Sequence, residues 1–511
     1  MQVDLTLGPW RPDQPALNNP GVTKAHNVTP TFGNANGAVT YQAMKGASLY
    51  SASSMPSRPL GTAIGLDKLN TARVYGGCAT ALMKIDPASR QWVNISRTVG
   101  YSTAAAERWE STEYGDTLLF TNFADPPQWI SKNQDDKFAD ATTLFTARHC
   151  ATVGDFVVFG NTHDTLDDTV PYRLRWSAIG NPLDYTFSQV TMSDFQDIWG
   201  YGAIMGIIGG TDGYVLMRDC IQKMTFRGSP LIFQFDVQQQ TLGKGCKVSQ
   251  SIITVQGVTY YLSDDGFYAF DHTTGSLKAI GAGKVDLWCM NDIDTNQYSY
   301  MTVAADPVTK LIYWNYVSKN GSSGKADRQV VYNYEIGEWT EAEATTPFIF
   351  HSLSLAWTIE QLATYVTIEA VPASFDDPIW AGGNRLLWGM DDAGAIYTFS
   401  GTTLTASIET QEQFLIQYLQ QMNPQIQGDR CQVNRVRLYV DGDGADITLR
   451  IGTRSFSNKQ VQYSLPRKPH LSEEWCFFRE QGRYFRTQIN LAGSWQTISG
   501  LQIDAIPRGL R

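Results

Sequence analysis

One unit recurs along most of this chain. A turn carrying Gly or Asp leads into an apolar strand, a second turn follows, and a further strand ends on an aromatic. Arg73 to Ile85 leads to Gln91-Trp92-Val93, Gly115 to Asn122 leads to Pro127-Gln128-Trp129-Ile130, and Gly154 to Asn161 leads to Pro171 to Ser177. The theme returns at Asp212–Arg218, Gly257–Phe270, Leu311–Trp339 and Arg385–Phe399. Short strands with turn signals, repeated every forty to sixty residues, are the pattern of a β-propeller: a single blade cannot bury both of its faces, so blades stack radially and close into a ring. The pattern predicts an all-β fold, an irregular β-propeller of six or seven blades over residues 41–404, with seven units counted. A set of unrelated hairpins in sandwiches is the other arrangement compatible with it.

The flanks read differently. Residues 1–40 are rich in Pro, Asn and Gly and lack periodicity, which predicts an extended N-terminal arm anchored by Trp10 and Leu17. Residues 405–511 predict a C-terminal β-sandwich, with strands at 433–440, 447–451, 460–463, 484–489 and 501–505 and a hairpin turn at Asp441-Gly442-Asp443-Gly444. Phe414, Leu415, Tyr418 and Leu419 fit one helix face, but a strand fits the surroundings equally well.

Composition supports the β reading, with aromatics at 12% and 44 glycines among 511 residues. The net charge of −10 disfavours holding DNA through phosphate contacts, which need Lys and Arg. The first residues carry no basic-then-apolar leader pattern, and the longest apolar stretch, near 203–210, is too short to span a bilayer. Seven cysteines without a Cys-x-x-Cys pair predict free thiols in a protein made in a reducing cytosol.

No catalytic, cofactor-binding or metal-binding set emerges, and the chain is expected not to be an enzyme. Ser263-Asp264-Asp265-Gly266 has the look of a sialidase-propeller turn, but its spacing is off and it does not repeat. The loop with His163, Asp164, Asp167 and Asp168 gathers oxygen ligands that could take a hard cation, against the plainer reading of a solvated loop tip. Asp441, Asp443 and Asp446 lack the closing Glu of a calcium loop. The six histidines never flank a Glu at helical spacing, and no phosphate loop or nucleophile elbow is present.

Several phrases along the chain carry a likeness to known proteins. Trp10-Arg-Pro-Asp-Gln-Pro15 with Asn19-Pro-Gly21 is similar to the start of many phage tail proteins, and Arg175-Trp-Ser-Ala-Ile-Gly-Asn-Pro-Leu-Asp184 has the same flavour. Gly243-Lys-Gly245, Ser249-Gln-Ser251 and Tyr260 to Gly266 resemble the middle of the packaged-DNA stabilisation, or tail hub (nozzle), proteins of short-tailed phages, the podovirus family. Val440-Asp-Gly442, Ile451 to Arg454, Gly482 to Asn490 and Ser499 to Asp504 resemble its terminal β-domain. The order of these phrases is what counts. The resemblance implies a homohexameric ring in the virion, assembled in the host cytoplasm below the portal and its adaptor ring. It would contact a tail fibre, tailspike or needle, retain packaged DNA and conduct it out at genome ejection without sequence-specific binding. An acidic ring wall would let the duplex slide. Loops near 161–172, 184–200 and 317–329 are the expected contact sites, and the N-terminal arm is expected to close the propeller or clamp a neighbour. The rival readings are a glycan- or receptor-binding propeller of a tail fibre and a propeller glycosidase.

Overall fold

The fold is described from a computed structural model that covers residues 1–17, 19–33, 37–68, 71–134, 137–322, 324–353, 385–470 and 473–508. The stretch 354–384 within the expected propeller, Ser323 in the 317–329 loop, and the last three residues of the expected C-terminal domain lie outside the described residues.

Among the described residues the chain is all-β, and each of the seven sequence units forms one four-stranded blade. Blade one runs from Gly61–Leu66 to Trp92–Asn94, blade two from Glu110–Tyr114 to Ala139–Asp140, and blade three from Phe145–Val153 to Asp194–Asp197. Blade four spans Ile204–Ile208 to Phe233–Val237, blade five Ile253–Val255 to Leu277–Ala279, and blade six Thr302–Asp306 to Glu338–Glu343. Blade seven combines Phe348–Leu353, Arg385–Met390 and Ile396–Thr398 with Ser48–Leu49 from the other end of the ring. That shared blade closes the circle. The first strands of successive blades line the centre, and Phe348–Leu353 returns to Gly61–Leu66. Blade four meets the segment entering blade five where Gly206 packs close against the end of the Ile252 side chain.

Local chemistry explains the blades. Between Ile253–Val255 and Val258–Leu262 the two turn residues Gln256 and Gly257 take φ of 51° and 80°, the left-handed pair that a tight two-residue hairpin requires. Four buried tryptophans pack between blades and donate their indole N–H to a neighbouring segment. Trp92 Nε1 donates to the Gly394 carbonyl at 2.9 Å, Trp109 Nε1 to Cys78 at 2.9 Å, and Trp314 and Trp339 Nε1 to Ser251 and Ile280 of the blade-five region at 2.9 and 3.1 Å. A buried Trp costs little when its one donor is paired, so these residues join blades as well as fill them.

The first forty residues are not the extended arm their composition suggests. Gln2–Thr6 pairs with Thr497–Arg508 in register Gln2↔Asp504 to Thr6↔Gly500, and Val28–Phe32 and Val39–Ala43 extend the same sheet, which also holds Arg430–Asp441 and Cys476–Gly482. Val22–His26 enters the facing sheet beside Ala406–Thr410, followed by Tyr484–Gly493, Ala445–Arg454 and Gln462–Tyr463. Both chain ends therefore build one sandwich. Its second sheet is also continuous with blade six, because Val22–His26 meets Glu338–Glu343 at His26↔Glu341. A single apolar cluster runs from Val3, Leu5 and Trp10 through Ile489 and Leu501 to Trp314 and Trp339. The one ambiguous segment is helical, Leu415–Met422, with Leu415, Ile416 and Leu419 buried on one face. The expected 161–172 loop is instead a hairpin between Phe156–Asp164 and Asp168–Trp176.

Candidate functional site: the mouth of the propeller channel

Residues at or near the starts of the first strands gather at one mouth of the channel. Blade two supplies Glu107, Arg108 and Glu110, and blade three Arg148 and His149. The segments entering blades five and six supply Lys247, Ser249, Gln250, Tyr298 and Ser299. The channel itself holds a chamber of about 350 Å³ lined by residues of the blades and by the segment entering blade five, and the mouth a second chamber of about 310 Å³, with Arg108, Glu110, Ser249 and Gln250 common to both.

Most charges here are paired across blades two and three. Arg148 grips Glu107, with Nη2 2.8 Å from Oε1 and Nε 3.1 Å from Oε2, while Nη1 donates to Asn161 Oδ1 at 3.0 Å. Its guanidinium carbon lies 3.7 Å from the Phe123 ring centroid. His149 Nδ1 lies 2.8 Å from Glu110 Oε1. Lys247 reaches Asp264 at 2.6 Å. Arg108 is the exception: it bonds to a neutral acceptor, the Ser299 carbonyl, through Nη2. Burial, reinforced by the like charge of Arg58, pushes its pKa down to about 9. Burial, with Glu110 nearby, pushes the channel-wall thiol of Cys150 well up, so it stays protonated.

Of the carboxylates singled out in the sequence, Asp164, Asp167, Asp168, Asp264, Asp265, Asp441 and Asp446 have structural partners. Asp164 caps its own hairpin turn, accepting from the backbone N–H groups of Leu166 and Asp167 at 3.0 and 2.8 Å. Arg173 then reaches Asp164 at 3.3 Å, Asp167 at 2.6 Å and Asp197 at 2.7 and 3.0 Å, and supplies the positive charge for the group. Asp168 lies 3.1 Å from His163 at the exposed tip. Asp264 accepts from Arg218 at 3.0 Å as well as from Lys247, and Asp265 accepts from Lys244 and from Tyr268 Oη. Asp441 accepts from Thr497 Oγ1 at 2.8 Å, and Asp446 pairs with Lys468 at 2.6 Å. These contacts hold turns and strands in place, and they scatter the acidic residues over different parts of the fold. The seven cysteines are free and buried. Among the described residues no helix is long and apolar enough to cross a membrane.

Sequence reasoning missed the channel mouth. The signal was the charged run Glu107-Arg108-Trp109-Glu110 opening the first strand of a unit, a position that faces the ring centre only once the ring is drawn.

The fold defines an all-β propeller locked to a sandwich. No family model matches the chain, and no curated protein matches it in sequence. Among solved structures, one similar chain is an extracellular domain assigned to a one-component system of B. thetaiotaomicron, at 12% identity and a TM-score of 0.37 over 82% of this chain. This chain spans about half of that one, 47% of its length. Apo AztD from Citrobacter koseri matches at 9% identity and a TM-score of 0.31, covering 67% of this chain and 94% of its own. A structure titled glycoside hydrolase matches at 11% identity and a TM-score of 0.23, covering 97% and 100%. At these scores none of the three bears on activity.

Proposed function

We propose that this chain is a structural subunit of a short-tailed phage virion, a tail hub or nozzle protein that assembles into a ring, retains packaged DNA and forms its exit conduit. The observation that supports it most is the outer rim of blade three. The excursion from Ala178 to Trp199 exposes Phe187, Val190 and Trp199 at 63, 88 and 66%, with Ile179 and Phe195 beside them. Monomeric soluble proteins rarely leave such a group of large apolar side chains in water, whereas subunit interfaces are built from them. The excursion contains the 184–200 segment named above as a contact loop. Ordered resemblance phrases along the chain supply the family. A ring of closed, sandwich-locked bodies has only short free strand edges, which suits a load-bearing wall. In this reading the partners are further copies of the chain, the adaptor ring above, a fibre, tailspike or needle, and DNA in the ring lumen.

The test is imaging of the purified full chain by negative-stain electron microscopy with native mass spectrometry. Six-membered rings are the expected result; a monomer at tens of micromolar, with no ring on adding the adaptor protein, would overturn it. A glycosidase remains the second reading, because Glu107 and Glu110 both stand at the channel mouth and glycoside hydrolysis uses two placed carboxylates. In this structure Glu107 is paired with Arg148, and Glu110 Oε1 is within hydrogen-bond distance of the His149 ring. Turnover of fluorogenic glycosides that is abolished by Glu110→Gln would favour that reading over the hub.

A further inference from the structure

The blade-three excursion from Ala178 to Trp199 carries three carboxylates among its exposed aromatics, Asp184, Asp194 and Asp197, and no Lys or Arg. Asp197 is taken by Arg173 at 2.7 Å. Among the described residues Asp184 and Asp194 accept only from the backbone N–H groups of Thr186 and Phe195, at 2.9 and 2.8 Å. Asp155 is exposed on the adjoining turn, where its carbonyl accepts from Gly180 N–H at 3.0 Å. The rim is thus apolar at its centre and negative around it.

The outward face of the sandwich has the opposite sign. It belongs to the sheet of Gln2–Thr6, Thr497–Arg508, Arg430–Asp441 and Cys476–Gly482, whose last strand has one paired neighbour among the described residues. Register sets Arg435 across from Asp504 and Phe477, and Arg430 across from Arg508, so these side chains share a face. Phe477, Ile506 and Tyr439 are 51, 42 and 39% exposed there. Arg435 and Arg437 lie over the Trp475 ring, at 4.5 and 5.1 Å from its centroid. The carboxylates of this face are engaged within the chain. Asp504 accepts from Arg435 at 2.9 Å and from the N-terminal ammonium at 3.0 Å, Asp4 from Gln502 at 2.8 Å, and Asp441 from Thr497 at 2.8 Å. Arg437 and Arg508 donate to the neutral Gln502 and Gln432. Neither they nor Arg430 and Arg479 form an ion pair among the described residues.

We propose that the blade-three rim of one copy docks on the outward sandwich face of the next, and that this head-to-tail contact, repeated, closes the ring. The inference rests on the hub reading and names the two surfaces that meet. Aromatic side chains with arginines around them are what interfaces are enriched in, and unpaired charges of opposite sign steer the two surfaces together and fix their register. The sandwich is joined to blade six, three places from blade three in the ring of seven. Two different patches on well-separated sides of one body make heterologous contacts, and these form a closed ring when the rotation between neighbours divides the circle. A two-fold pairing of rim on rim would instead set Asp184 and Asp194 of one copy against those of the other, and like charges across an interface are strongly unfavourable.

The experiment uses two charge-reversed full-length chains. One carries Arg479→Glu and Arg508→Glu on the sandwich, the other Asp184→Lys and Asp194→Lys on the rim. Native mass spectrometry, with the adaptor protein in every sample, reads the assembly of the unmodified chain, of each reversed chain alone, and of their equimolar mixture. Either reversed chain alone brings like charges together, so its assembly should weaken about a hundredfold or more and leave monomers. The mixture pairs acid with base at every contact and should form rings in which the two chains alternate, resolved by their mass difference. None of the four replaced side chains is in an ion pair, so each variant should melt with the unmodified protein; if the rim variant melts early, Asp155→Lys takes its place. Where the unmodified chain forms rings, rings from a reversed chain alone, or a mixture that stays monomeric, overturn this contact and leave the hub reading standing. An unmodified chain that stays monomeric with the adaptor present overturns both.

Discussion

Blades six and three solve the same problem in opposite ways. Every blade ends in an outer strand whose far edge has hydrogen-bonding groups to satisfy and apolar side chains to cover. On blade six the outer strand Glu338–Glu343 is met by Val22–His26, and the sheet runs on into the sandwich without a break. Arg11 adds a two-pronged contact to Glu338 at 2.6 and 2.9 Å, and Asp13 accepts from the N–H groups of Leu287 and Trp288 at 3.0 and 2.8 Å. On blade three the outer strand Asp194–Asp197 has only one paired neighbour among the described residues, Asp168–Trp176. The apolar groups around it face solvent. One edge is finished within the chain; the other has the composition of an edge finished by a second chain. The difference shows where the fold spends its own termini, and the uncovered edge is the one the proposed assembly would use.

The sharpest way to break this comparison is to remove the terminus that leads into the strand covering blade six and supplies Arg11 and Asp13 to that side. Deleting residues 2–20 takes away a strand and the buried side chains of Val3, Leu5, Leu7 and Trp10. Each is worth about 1.5–3 kcal/mol on burial, which together rivals the roughly 5–15 kcal/mol that holds a whole domain. The sandwich should unfold, and hydrogen exchange should show amides of 497–508 losing protection. A deleted protein that keeps that protection would mean the terminus is the detachable clamp that its composition suggests, and the contrast between the blades would fall.

A second effect is smaller and compares one residue type in two settings. Trp339 is fully buried, stacked on Trp314 at 5.7 Å and packed on Tyr332 at 4.5 Å. Trp339→Ala should cost about 3–5 kcal/mol in denaturant unfolding. Trp199 on blade three touches Tyr172 at 4.3 Å but is largely exposed, so Trp199→Ala should cost under about 1 kcal/mol. Equal costs would show that the blade-three rim belongs to the monomer core.

The covered side also has a pH signature. Asp286, beside the docked terminus, has its pKa raised to about 7 by burial, with Asp13 and Asp265 adding to the rise against a hydrogen bond from Phe267 N–H. A carboxyl whose folded pKa lies above its unfolded value favours the native state below the unfolded pKa, near 4, and loses that advantage as pH climbs toward 7. Asp286→Asn keeps an acceptor for Phe267 and removes the titration. Its Tm should exceed that of the unmodified protein at pH 8 and approach it at pH 4. A difference independent of pH would assign the effect to packing instead.

The blades were legible because each unit carries its own signals. Gly257 sets a turn, and Tyr260, Tyr261 and Phe270 alternate through paired strands, all within about fifteen residues. The terminus was not, because Gln2–Thr6 finds its partner near residue 500, and Pro and Asn around it mask the alternation of Val3, Leu5 and Leu7 with polar neighbours. Cys476–Gly482 was missed for a similar reason: its burial alternates, but Phe477 points outward and spoils the pattern. The channel mouth is further still from the sequence. Arg108, Glu110, His149 and Ser299 come together only when blades two, three and six take their places in the ring.

The mildest change for the monomer tests the exposed edge most directly. Replacing Phe187 and Trp199 together by Ser removes two large apolar groups that are mostly in water already. Surface changes of this kind usually move stability by within about 0.5 kcal/mol each, so the melting curve should barely shift. Assembly should respond quite differently, because aromatic side chains near the centre of an interface carry a disproportionate share of its energy. Where the unmodified chain forms the proposed ring, light scattering on the size-separated protein should show that species replaced by a monomer. If the substituted chain assembles as before, the rim of blade three is not the contact, and the finished and unfinished edges do not map onto inside and outside the subunit.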